Sequence, residues 1–194
     1  MYYEEGALYH IYNRSNEKLF YNRENYIYFI RKLRTHLLPF SDILAYCLMP
    51  NHYHIMLAVK PEGAKFHSNE KKKDMQLLAE AIGRIQGSYT QALNNQIGRK
   101  GGLFAHNSKA KILNDANKDY GIMCFMYIYQ NPLLSGLVDK IEDWEFSSFS
   151  DYIGKRDGTL INKRLAIEIL NLDANDIYSL TYQLLKDKTD DDFL

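Results

Sequence analysis

The chain has 194 residues, 46% of them apolar, and its 24 lysines and arginines are balanced by 24 aspartates and glutamates. That is enough apolar material for one decorated domain with a real core. No run approaches the roughly 18 apolar residues of a membrane span, and the acidic start, Met1-Tyr2-Tyr3-Glu4-Glu5, lacks the apolar segment of a signal peptide. The neutral total hides an asymmetry: residues 1–118 carry a balance of +7 and residues 119–194 one of −7. The first part therefore has the charge of a polyanion binder. Sixteen tyrosines are many for one chain, and a tyrosine-rich surface can stack on bases. Cys47 and Cys124 both lie in apolar patterns and read as buried free thiols, which fits a reducing, cytoplasmic compartment.

Leu8-Tyr9-His10-Ile11-Tyr12 reads as a first strand, ended by the turn residues Asn13-Arg14-Ser15-Asn16. Asn22 can cap a helix whose apolar stripe is Tyr26, Ile30, Leu33 and Leu37, and Pro39 stops it. Two strand-like runs follow, about 43–49 and 52–59, with Pro50-Asn51 as the turn between them. Residues 60–73 are polar and read as a mobile loop. A helix from about 74 to 95 carries the stripe Leu78, Ile82, Ile85, Tyr89 and Leu93; close approach of a neighbour or ligand would account for its Gly83 and Gly87. Lys109-Ala110-Lys111-Ile112-Leu113 reads as a fourth strand. Asp115 or Asn117 then caps a helix from about 118 to 130, with Pro132 as its terminator.

The order strand, helix, strand, strand, helix, strand is the ferredoxin-like split βαβ arrangement, an α+β fold with an antiparallel sheet. Residues 1–154 make this domain, and 155–194 form a helical tail, with helical patterns near 163–170 and 174–186 and an acidic, frayed end at 189–192.

Met49-Pro50-Asn51-His52-Tyr53-His54-Ile55-Met56 is the stretch that carries chemistry. Alternation along a strand puts His52 and His54 on one face, about 7 Å apart, where both can converge on a divalent cation. Tyr127 and Asn131 are one helical turn apart on one helix face, and Tyr129 is turned away from both. An amide oxygen can ligate a hard cation, and a phenol one turn earlier would sit beside it. The bland alternative is two hairpin histidines, a core tyrosine and a helix-end asparagine.

His52-Tyr53-His54 resembles the histidine–hydrophobic–histidine motif of the HUH endonucleases. Met49-Pro50-Asn51-His52-x-His54, followed by Tyr127-Ile128-x-x-Asn131-Pro132, resembles the single-tyrosine transposases of that superfamily, and most of all the REP-associated tyrosine transposases. The likeness runs over about residues 6–154 and takes in Tyr9 to Arg14 and the segment from Trp144 to Tyr152. It implies the ferredoxin-like fold, with His52, His54 and Asn131 as ligands of Mg²⁺ or Mn²⁺ and Tyr127 as the nucleophile. The implied activity is metal-dependent nicking and joining of single-stranded DNA beside a hairpin, through a 5′-phosphotyrosine. Arg14, Lys71, Lys72, Lys73, Arg99, Lys100 and Lys109 are then expected to meet the DNA. Relatives act either as monomers or as dimers that exchange the tyrosine helix, and the sequence leaves that choice open.

The chain departs from the pattern at three places. Leu133-Leu134-Ser135-Gly136 stands where the family commonly has V-R-A-G. Ala105-His106-Asn107-Ser108 holds no arginine in an arginine-rich segment, and Ser15 replaces a common glycine. The chemistry survives these changes, but the DNA contacts differ. Two readings from other classes therefore stand beside the enzyme: an inactive or domesticated single-strand-binding module, and a small zinc hydrolase built on His52 and His54. Zinc normally takes a third nitrogen, sulfur or carboxylate ligand, and the sequence offers no obvious one.

Overall fold

A computed structural model of the chain describes residues 2–113 and 118–183. Strands β1 (Leu8–Arg14), β2 (Ser41–Met49), β3 (His52–Val59) and β4 (Lys109–Ile112) form one sheet in the order β2-β3-β1-β4, antiparallel at every pairing. The helices are α1 (Arg23–Leu37), α2 (Pro61–Ala64), α3 (Leu77–Ile97), α4 (Lys118–Leu134), α5 (Phe149–Tyr152), α6 (Lys163–Leu170) and α7 (Ile177–Gln183). β1-α1-β2 and β3-α3-β4 are the two split halves, joined by the β2–β3 hairpin, so the fold is the ferredoxin-like α+β arrangement with helices added after it.

Strand alternation gives the sheet two different faces. Tyr9, Ile11, Tyr53, Ile55 and Leu57 point to one, where they meet Phe29 and Leu33 from α1 and Ile82, Ile85 and Tyr89 from α3. Cys47, Met49 and Met56 point to the other, where α4 lays Phe125, Ile128 and Tyr129 on them. Ala166 and Leu170 of α6 and Ile177 of α7 complete that second layer. Both cysteines are buried there as free thiols. Each large apolar side chain so buried contributes about 1.5–3 kcal/mol.

Local signals set the start of α1 and the end of α3. The Asn22 carbonyl oxygen of the side chain accepts from the Asn25 amide, and the Asn25 side chain returns the bond to the Asn22 amide, closing a capping box at α1. Gly98, with φ 67°, caps the end of α3 by donating its N–H to the Asn94 carbonyl.

Four expectations need correction. β1 does not end at Tyr12; Asn13 and Arg14 pair with Tyr53 and His52, so ladder bonds override the turn composition. Pro132 does not terminate α4, which runs through it to Leu134. A proline in the last turn removes a single backbone bond, and the apolar layer under α4 holds the helix together. Residues 60–73 are not a featureless loop: they contain α2, a short 3₁₀ turn at Glu70–Lys72, and Phe66 bridged to Gln76. Gly83 and Gly87 have nothing within 4 Å of where a Cβ would stand, so close packing against another part of the chain does not explain them. The caps expected at Asp115 or Asn117 and the acidic end at 189–192 lie outside the described residues. No described helix is long and apolar enough to cross a membrane.

Candidate active site

The register of the sheet places the histidines. His54 lies opposite Tyr12 on β1, and Tyr12 lies opposite Lys109 on β4. One step along, His52 lies opposite Arg14; one step the other way, His10 lies opposite Lys111. Paired residues share a face, so His10, Tyr12, Arg14, His52, His54, Lys109 and Lys111 form one polar patch. It occupies the face that α4 covers.

α4 brings Tyr127 and Asn131 onto this patch. The rings of His54 and Tyr127 meet edge to face with centroids 5.6 Å apart, all within one chain. Asn131 lines the same cavity as His52, and its Nδ2 donates to the Tyr127 carbonyl at 2.7 Å. Tyr129 is turned the other way, fully buried, with its hydroxyl 3.0 Å from Ser148 Oγ. Burial pushes its phenol well above the ordinary value, a state opposed to forming a phenolate. A cavity of about 110 Å³ is lined by Tyr12, Asn13, Arg14, His52, Tyr53, His54, Tyr127, Asn131 and Ser135. All four residues singled out for metal and nucleophile are in it.

The imidazoles are held neutral. Burial, with the Arg14 cation adding to it and Asn131 opposing, lowers His52 to about 4. Burial and the Lys111 cation lower His10 to about 3. Burial, then the two neighbouring histidines, hold His54 well below 6.5. Neutral imidazoles are what a metal site requires. His52 Nδ1 is 2.7 Å from Asn51 Oδ1 and His54 Nδ1 is 2.9 Å from His10 Nε2, which leaves the Nε2 atoms toward the site. His54 Nε2 is buried with no hydrogen-bond partner. A buried polar atom without a partner is unusual in a native fold, and a cation would satisfy it.

His10 and Tyr12 are site residues that reading the sequence missed. The signal was present: His10 and Tyr12 alternate with Tyr9 and Ile11 just as His52 and His54 alternate with Tyr53 and Ile55. Their convergence appears only once β1 is known to pair with β3. Among the described residues, no group of three or more His, Cys, Asp or Glu is arranged to hold a metal. His10 is no third ligand, because its Nε2 is engaged by His54.

The expected DNA residues divide into two sets. Arg14 and Lys109 line the site or its neighbour: a second cavity, about 270 Å³, shares Tyr12, Asn13 and Arg14 with the first and extends to His106, Asn107 and Lys109. Lys109 Nζ stands 5.7 Å from the Tyr12 ring centroid. Arg99 is at the same end of the sheet but is bound to both carboxylate oxygens of Glu17 and to the carbonyls of Gly101 and Gly102. Its exposed neighbour Lys100 follows it in that loop. Lys71, Lys72 and Lys73 are not brought to the site. They follow β3 at its Val59 end, about 23 Å of strand from His52, and Lys72 is paired with Glu80.

No protein-family profile matches the chain, and no curated protein matches it. Among solved structures, a tyrosine transposase shares the fold. It is a REP-associated tyrosine transposase bound to a REP hairpin, with a TM-score of 0.57 over 80% of this chain and 84% of that one, at 19% identity. At that identity the likeness is one of fold.

Proposed function

We propose that the protein is a metal-dependent, transposase-like enzyme that nicks and joins single-stranded DNA near hairpins through Tyr127. The observation that carries this reading is the meeting of Tyr127, Asn131, His52 and the partnerless His54 Nε2 in one cavity of one chain. The shared fold with a transposase solved on a hairpin supports it.

His52, His54 and the Asn131 amide oxygen would hold the cation. Two imidazoles and an amide suit Mn²⁺ better than Mg²⁺, which prefers oxygen ligands throughout. When bound, the cation supplies charge neutralisation to the scissile phosphate and lowers the phenol's pKa. Tyr127 Oη, having lost its proton, attacks phosphorus; the new O–P bond forms as the P–O3′ bond breaks, and the departing 3′ oxygen takes up a proton. Attack by a 3′-hydroxyl on the phosphotyrosine reverses the step and joins strands. Asn131, by bonding to the Tyr127 carbonyl, ties the ligand to the nucleophile's own turn of helix. Flanking nucleotides would cross the second cavity, with Tyr12 as a stacking surface and Arg14 and Lys109 as phosphate contacts. The nucleophile acts in cis, beside the histidines of its own chain.

The test is a labelled hairpin oligonucleotide with single-stranded flanks, incubated with the full chain and Mn²⁺. A covalent adduct that survives denaturation, is mapped to Tyr127 and disappears in Tyr127→Phe is the expected result. Binding without any adduct would leave the single-strand-binding module; an adduct on Tyr129 would overturn the site.

A further inference from the structure

We propose that His10 is a positioning residue for this site: its Nε2 accepts a hydrogen bond from His54 Nδ1, which fixes the His54 ring so that its Nε2 lone pair is the one offered to a divalent cation. This inference rests on the cation reading above.

The geometry is that of an in-plane bond between two rings. The nitrogens are 2.9 Å apart, the ring planes differ by 19° and the centroids are 5.1 Å apart, so the rings lie side by side and nearly coplanar. Both residues are only 1% exposed, so water does not compete for the bond. A neutral imidazole has one donor nitrogen and one acceptor, which leaves two arrangements. If His10 donates, His54 must carry its proton on Nε2, as a buried donor with no partner. If His54 donates, the same Nε2 becomes an unshared lone pair, and the partnerless atom acquires a purpose. The second arrangement avoids an unsatisfied buried donor.

His10 is also well fixed. β1 lies between β3 and β4, and His10 is paired with Met56 on one side and Lys111 on the other. Its ring stacks on Tyr12 with centroids 4.9 Å apart. A ligating imidazole held through its second nitrogen is the ordinary way a protein selects tautomer and ring orientation. Here the holding group is a second imidazole on the neighbouring strand.

Two readouts decide the matter, both on the full chain. Long-range ¹H–¹⁵N spectra report which nitrogen of each imidazole carries the proton, with no metal present. Calorimetric titration with Mn²⁺ reports affinity without reference to cleavage. In the wild-type chain His54 should be in the Nδ1–H form. His10→Phe keeps the ring volume but loses the acceptor; His54 should shift toward the Nε2–H form and Mn²⁺ affinity should fall about 10–100-fold. His10→Gln offers an amide oxygen in place of the nitrogen and should recover most of that affinity. An Nε2–H form in the wild type overturns the proposal. So does a His10→Phe chain with wild-type tautomer and wild-type Mn²⁺ affinity. Should His10→Phe fail to fold, the wild-type spectrum and His10→Gln still decide. A wild-type chain that binds no Mn²⁺ overturns the cation reading, and the purpose given to His10 with it; wild-type binding that His10 variants leave intact overturns the role of His10 alone.

Discussion

Tyr53 and His54 are consecutive residues of β3, and they face opposite sides of the same sheet. Both are buried. On the α1/α3 side, the Tyr53 hydroxyl is 2.9 Å from Ser108 Oγ and accepts from Gln86 Nε2 at 2.8 Å, and Gln86 also bonds Ser108. Tyr53 Oη, Ser108 Oγ and Gln86 Nε2 therefore all have partners. On the α4 side, His54 has one nitrogen engaged and the other without a partner. A closed network stabilises and specifies a fold; a polar atom left over is costly unless something else comes to it. The same strand thus builds structure with one side chain and a site with the next.

The sharpest way to break the comparison is His54→Ala. Cleavage and Mn²⁺ binding should both be lost while the chain remains folded, as judged by circular dichroism and thermal unfolding. Retained Mn²⁺-dependent nicking would return His54 to the rank of a structural histidine. On the opposite face, Phe29→Ala should cost about 3–5 kcal/mol in urea unfolding through cavity formation. The folded fraction should still form adduct at the wild-type rate; a slowed rate would mean that the two faces are coupled.

Acid distinguishes the faces too. Unfolded, His10 and His52 take up protons below about pH 6.5, whereas the folded chain holds them to about 3 and about 4. The unfolded state therefore binds more protons in that window, and stability falls as pH drops from 6.5 toward 4, by on the order of 1 kcal/mol per pH unit for each such histidine. Metal-free urea midpoints measured between pH 7.5 and 4 should show that loss, and His10→Phe should flatten it. The smallest effects concern salt. Arg14→Gln and Lys109→Gln should each reduce the salt slope of single-strand binding by about 0.7. Charge reversal at Lys71, Lys72 and Lys73, at the far end of β3, should leave it nearly unchanged.

Much of this was legible in the sequence, for reasons that are local. Strand alternation placed His52 and His54 on one face, and helical rotation separated Tyr127 from Tyr129, because both rules act within one element. His10 was not legible, since only the pairing of Tyr12 with His54, 42 positions away, brings β1 to the site. The far placement of Lys71–Lys73 follows from strand direction: the histidines open β3 and the lysines come after it closes. Pro132 misled because propensity weighs one lost bond, while the layer of Phe125, Ile128 and Tyr129 decides the length of α4.

The register of β1 also governs timing during synthesis. Strand β1 emerges from the ribosome first, yet its inner partner β3 begins at residue 52, its outer partner β4 at residue 109, and the nucleophile comes at residue 127. A nascent chain can hold the histidines in a hairpin long before it owns a tyrosine to set beside them. On the proposed function, an unfinished copy cannot form a covalent link to DNA. The reactive constellation comes together only through loop closures of high sequence separation, which are slow to form. A translation product that stops before residue 127 would therefore be chemically silent.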